Sequence, residues 1–180
     1  MTMIKKLIIA TIILLPCFVM AQGNGRAVML QMRNGKIYFD NTYSLSTSLK
    51  KELLFDRALN WLKGGFENAD KSTIATDAKK GEVNGTGIFK IITSESGHYF
   101  WLRFVVNIVV NNATYEIKAY DFYEEPIEPG VSNEYSKIEY RWRDYRQGKP
   151  WGPEDKVLFE GMDKNIKEML ASLETVMGKQ

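Results

Sequence analysis

The chain contains one cysteine and one histidine in 180 residues. Cys17 lies within the first 21 residues, which read as a removable leader, so the exported chain holds no thiol. A disulfide, a His/Cys metal site and a Cys-His catalytic pair are then excluded within one chain. His98 stands at a loop edge beside Ser96, and no third group marks a catalytic set. An excess of charge of one sign is also missing. Removing Lys5 and Lys6 from the 24 basic residues leaves 22 against 22 acids, so nothing draws the whole molecule to nucleic acid or anionic lipid. After the leader no apolar run is long enough to span a membrane, which takes about 20 residues.

What is present at the start is informative. Lys5 and Lys6 precede an apolar stretch from Leu7 to Leu15, and Val19-Met20-Ala21 supplies a small-residue cleavage site. The pattern predicts export, with cleavage after Ala21, to the periplasm or cell envelope or beyond it. Pro16 before Cys17 does not suit a lipidated cysteine. Residues 22–180 suit one domain with a sizeable core, held by packing alone.

Strands are read from alternation and turn residues. Asn111-Asn112 predicts a two-residue hairpin turn, because asparagine tolerates positive φ. That turn sets Val110 opposite Ala113, Ile108 opposite Tyr115, Val106 opposite Ile117 and Phe104 opposite Ala119. Leu102 then faces Asp121 and Phe100 faces Tyr123, and the row is apolar apart from Asp121. The opposite face pairs Arg103 with Tyr120 and Trp101 with Phe122. A four-residue loop at Ser94–Gly97 sets Ile91 beside Phe100 and Phe89 beside Leu102. Gly87 falls beside Phe104 and Gly85 beside Val106, which predicts room for a packed helix. Gly85-Thr86-Gly87 continues as Ile88-Phe89-Lys90 and so matches no phosphate-binding loop. Asn34-Gly35 predicts another hairpin, with Met32 facing Ile37, and Ser72–Asp77 reads as a short strand anchored by Ile74.

Two helices follow from spacing. Leu54, Ala58, Trp61 and Leu62 predict a helix over about 49–63, with N-caps among Ser46-Thr47-Ser48 and a stop at Gly64-Gly65. Phe159, Met162, Ile166, Met169, Leu170, Leu173 and Met177 form a continuous apolar stripe over about 155–177. Its polar side mixes acids and bases, unlike a membrane-surface helix.

The segments Leu54…Ala58-Leu59-Asn60-Trp61-Leu62, Gly81-Glu82-Val83-Asn84-Gly85-Thr86-Gly87 and Val110-Asn111-Asn112-Ala113-Thr114-Tyr115-Glu116-Ile117 resemble a family of exported bacterial proteins of unknown function. That family has a fold like the TATA-binding protein (TBP-like), and the resemblance spans roughly 36–123. Its last hairpin often carries Gly and Arg near the turn, where this chain has Ala113 and Glu116. The resemblance implies a curved antiparallel sheet backed by helix. It implies no activity, cofactor or catalytic residue, and the TBP-like shape does not itself imply DNA binding.

The second sheet face collects Lys90, Trp101, Arg103, Tyr120 and Phe122. Aromatic platforms beside cations suit a ligand or partner surface. A competing and stronger reading covers this face with the C-terminal helix or the 124–151 segment, because the apolar stripe must be buried somewhere. The run Tyr140–Trp151 interleaves aromatics with bases and adds Trp142 and Tyr145 as candidates. Its plainer reading is a short element that docks Trp142 and Trp151 while its arginines pair with the acids of Glu124–Glu128. Asp121, Glu124, Glu125 and Glu128 match no calcium loop.

The expectation is therefore one α+β domain. It has a single curved antiparallel sheet of about five to six strands, a packed N-terminal helix and an amphipathic C-terminal helix within a 124–180 extension. The favoured function is a non-catalytic binding module for a protein or small ligand of the cell envelope, with no nucleic acid, cofactor or metal. A homodimeric structural subunit is the second reading. A hydrolase using carboxylates such as Asp121 or Glu124 is the third.

Overall fold

The computed structural model describes residues 28–45, 49–66, 73–125 and 137–178. The leader and the proposed caps Ser46-Thr47-Ser48 lie outside them. The element order is β1 (Met32–Arg33), β2 (Lys36–Ser44), α1 (Lys51–Gly65), β3 (Ala75–Asp77), β4 (Glu82–Ile92), β5 (Tyr99–Asn111), β6 (Thr114–Glu125), α2 (Ile138–Arg146) and α3 (Asp155–Met177). The strands form one antiparallel sheet of six, in the order β1-β2-β6-β5-β4-β3. This is the single antiparallel α+β sheet that the alternation predicts, and it has the form that the family resemblance implies. β2 closes against β6 because its apolar positions Ile37 and Phe39 need the same core as Ala119 and Phe122.

The β4–β5 register agrees with the pattern at every pair, from Val83 opposite Ile108 to Ile91 opposite Phe100. Thr93 donates its N–H to the His98 carbonyl at 2.8 Å and closes the Ser94–Gly97 loop. The β1–β2 turn is also as read: Asn34 and Gly35 take φ of 52° and 76°, as a type I′ turn requires.

The β5–β6 hairpin differs in two ways. Its turn is Asn112-Ala113, so the register is offset by two residues and Ile108 faces Ile117. An offset of two keeps every side chain on its face. Ala113 takes φ of 61°, a conformation that glycine would adopt with less strain. The second difference changes the faces. A bulge lies between Arg103 and Val105 on β5 and opposite them on β6, where Asp121 takes φ of 53°. The extra residue turns Phe122 inward and Tyr123 outward. Phe122 is fully buried, stacked on Phe104 at 4.9 Å and edge-on to Phe39 at 5.9 Å. It is a core residue and no part of the outer face. Arg103 accordingly pairs with Tyr123, and Trp101 with Glu125.

Both long helices pack on the core face. α1 buries Leu54, Ala58, Trp61 and Leu62, and its N-cap is Lys50, without a side-chain cap bond. A Cβ on Gly85 would stand 2.8 Å from Leu62 Cδ2, so this glycine does admit the helix. Gly87 has a different cause: its missing side chain is filled by the Phe104 ring of the neighbouring strand, 2.5 Å from a Cβ there. α3 lays its apolar stripe beside α1, and Gly161 brings it onto Ile91 of β4. Two bonds join the helices: Trp61 Nε1 donates to Ser172 Oγ at 3.1 Å, and Arg57 Nη1 donates to the Met177 carbonyl at 2.7 Å. The C-terminal helix therefore does not cover the second sheet face.

α2 is an element that the sequence pattern misses, since Tyr140–Trp151 reads there as a loop or short element. It buries Ile138, Arg141 and Trp142. Trp142 docks as expected, with its ring 4.8 Å from Phe159, whereas Trp151 stays 53% exposed. Arg141 is the ionic pivot. Its guanidinium bonds Asp155 through Nε at 2.8 Å and both oxygens of Glu124 through Nη1 at 3.0 and 2.9 Å. The bulge makes this possible, because it sends Glu124 to the core side opposite Leu102. Asp155 is fully buried and also accepts the Trp151 N–H at 2.8 Å.

Candidate functional site

Two surfaces carry groups suited to recognition. The first is the outer sheet face. Alternation places Lys90 of β4, Trp101 and Arg103 of β5 and Tyr120 of β6 on it, and the bulge adds Tyr123. Lys90 Nζ sits 4.2 Å from the Tyr99 ring and 5.7 Å from the Trp101 ring, and Tyr99 meets Trp101 edge to face at 6.0 Å. Tyr120 stacks on Tyr38 of β2 at 5.6 Å. Arg103 lies 5.8 Å from the Tyr123 ring and 3.7 Å from Glu125. Burial raises the Tyr120 hydroxyl above its ordinary value, with Asp121 adding to the effect, so it stays protonated and available as a donor. Trp101, Arg103 and Tyr120 are half-buried and Lys90 is exposed, and among the described residues no helix lies over them.

Four of the seven candidate residues thus share a surface: Lys90, Trp101, Arg103 and Tyr120. The other three do not join them. Phe122 and Trp142 are buried, and Tyr145 packs against Trp142 at 5.8 Å and Phe159 at 5.1 Å. The missed members are Tyr38, which needed the β2–β6 pairing, and Tyr123, which needed the bulge. The positive φ of an aspartate within a strand is the local sign of both the bulge and the switched face.

The second surface is a cleft of about 490 Å³ between the β1–β2 turn, the β6 bulge and α2. Its apolar walls include Met32, Tyr123 and Tyr140 over the buried Phe122 and Trp142, and its rim carries Lys36, Lys137, Arg143 and Arg146. Glu139 also lines it and accepts the Ile37 N–H at 3.1 Å. Burial raises the Glu139 carboxyl above the usual range despite that bond. Asp121 reaches Lys36 at 3.4 Å.

The carboxylates considered for hydrolysis do not share a site: Asp121 lines the cleft and pairs with Lys36, whereas Glu124 pairs with Arg141. Among the described residues no three His, Cys, Asp or Glu side chains gather as a metal site would need, and no helix is long and apolar enough to cross a membrane.

Comparison with known proteins agrees with this architecture. Residues 39–125, from β2 to the end of β6, match the family described as a domain of unknown function (DUF4468) with TBP-like fold. This segment is a DUF4468 domain. A TBP-like protein from Parabacteroides distasonis superposes with a TM-score of 0.66 at 13% identity, over 82% of this chain and 96% of that one. A DUF4468 family protein from Bacteroides ovatus gives 0.66 at 12% identity, over 84% and 91%. At such identities the likeness concerns the fold. No functionally curated protein matches the chain. The DUF4468 segment holds Lys90, Trp101, Arg103, Tyr120 and Tyr123 of the outer face, with Tyr38 just before it, whereas the cleft also needs α2, beyond the matched residues.

Proposed function

We propose that the protein is a non-catalytic binding module of the bacterial cell envelope that engages a protein partner through the outer face of its DUF4468 sheet. One observation carries this reading. Both long helices pack on one side of the sheet, and the other side keeps Lys90, Trp101, Arg103 and Tyr120 as a half-open band of rings and cations. Tryptophan, tyrosine and arginine are the residues that dominate protein interfaces when they are truncated. The leader-like residues 1–21 support export. A self-assembling subunit is the second reading. It is favoured by the edge of β4 beyond Thr86, along which no strand pairs among the described residues, since β3 pairs with β4 only through Asn84.

Site-specific photo-crosslinking in the producing cells tests the proposal. A photoreactive phenylalanine analogue at Trp101 or Tyr120 should give a discrete adduct with another protein, and the same analogue at Lys164, on the exposed side of α3, should give none. Adducts absent from both face positions, or equal at all three, would sink the reading. An adduct between two copies of this chain would favour the self-assembling subunit instead. Light scattering would then show a dimer that dissociates in Trp101→Ala.

A further inference from the structure

The cleft beside α2 has a composition distinct from the sheet face, and the proposed function leaves it unused. Its volume of about 490 Å³ lies within the range of small-molecule sites, roughly 300–1,000 Å³. Its accessible apolar lining is Met32, Tyr123 and Tyr140, over a floor made by the buried rings of Phe122 and Trp142, which the core holds from behind. Among the described residues four bases and two acids line it. Lys36 is held by Asp121, but the other three cations keep their charge largely unspent. Lys137 and Arg146 have no carboxylate within ion-pair distance among the described residues, and Arg146 lies 5.6 Å from the Trp142 ring. The carboxylate nearest to Arg143 is Asp144 at 3.8 Å, and Asp144 already accepts the Trp151 indole N–H at 2.7 Å. An apolar lining under cations of which two, Lys137 and Arg146, have no ion-pair partner among the described residues selects a ligand with both an apolar body and an acid group.

We propose that this cleft binds a small amphipathic anion, an aromatic or branched apolar body bearing one acid group, with the body against Met32, Tyr123 and Tyr140 and the acid facing Lys137, Arg143 and Arg146. The neutral alternative is disfavoured because it would leave the cations unanswered. A highly charged, polar ligand is disfavoured because it would lose hydration against the rings.

The test uses protein purified from cells expressing the full-length chain and two fluorescent probes with one aromatic body. Anilinonaphthalene sulfonate carries the anion, and N-phenyl-1-naphthylamine lacks it. The sulfonate should bind saturably at one site, about tenfold more tightly than the neutral probe. Lys137→Glu combined with Arg146→Glu should weaken the sulfonate about tenfold and change the neutral probe little. Trp101→Ala on the sheet face should change neither, so this outcome stands or falls apart from the crosslinking result. Raising ionic strength from about 0.05 to about 0.5 M should weaken the sulfonate alone, and that measurement needs no variant. Equal affinity for the two probes would overturn the proposal. So would sulfonate binding that ignores both the charge reversals and salt.

Discussion

The bulge at Asp121 decides which side chains of β6 are core, and Phe122 measures it. Phe122 is fully buried between Phe104 and Phe39. Truncating such a ring forfeits its transfer free energy and leaves a cavity that rigid neighbours cannot fill, so Phe122→Ala should cost about 3–5 kcal/mol. For a chain of this size each kcal/mol lowers Tm by about 2–4 °C, so the loss should be roughly 6–20 °C. Tyr120 is half-exposed, and its ring contact with Tyr38 is a cross-strand pair, so Tyr120→Ala should cost only about 1 kcal/mol. Asp121→Val gives an opposite-sign check. Were β6 straight, Asp121 would face Phe104 in the core and valine would stabilise. With the bulge, a β-branched residue must take φ of 53°, and the variant should lose about 1–3 kcal/mol. Urea unfolding followed by far-ultraviolet circular dichroism measures all three. A Phe122→Ala loss below about 1 kcal/mol, or an Asp121→Val gain, would refute the bulged register.

Arg141→Met should destabilise by about 3–5 kcal/mol, because it strands the buried carboxylate of Asp155 without its partner. Adding Asp155→Leu should recover part of that loss in a double-mutant cycle, and strict additivity would mean that the pair is not coupled. The urea midpoint should also fall as the solution is acidified below the ordinary glutamate value of 4.5. Glu154 accepts bonds from Thr93 Oγ1 at 2.8 Å and pairs with His98 Nδ1 at 3.0 Å, and these hold its carboxyl below that value. A depressed folded value adds stability above the unfolded one and loses it as pH falls through the folded one, so Glu154→Gln should flatten the acid limb. A limb equally steep in the variant would remove Glu154 as a contributor.

How much of this was legible follows from which signals are local. The β4–β5 register was readable because the Ser94–Gly97 turn and eleven alternating residues agree, and a one-residue slip would bury Lys90. α3 was readable because a stripe over 23 residues leaves no other period. α2 was not, since nine residues alternating rings and bases carry little apolar periodicity. It is held by Trp142 on Phe159 and by Arg141 between Glu124 and Asp155, contacts between distant parts of the chain. Gly85 was read correctly as space for a helix and Gly87 was not, because a cross-strand ring can fill the same gap.

The outer face was half legible for one reason, and the same reason made the cleft illegible. Strict alternation carried through Asp121 assigns Phe122 to the surface and Tyr123 to the core. The single polar residue in an otherwise apolar row was the warning, because a strand can either bury that charge or bulge around it. Burying an unpaired carboxylate costs several kcal/mol, whereas aspartate adopts positive φ for roughly 1–2. The bulge is the lower-energy solution, and it has three consequences at once. It gives Phe122 to the core, it turns Glu124 inward to Arg141 and so anchors α2, and it opens the cleft that Asp121 lines with Lys36. The basic and aromatic run at Tyr140–Trp151 gains its candidate role only there. Arg141 pairs with Glu124, as the plainer reading of the run expects, and with the buried Asp155, while Arg143 and Arg146 stand on the cleft rim.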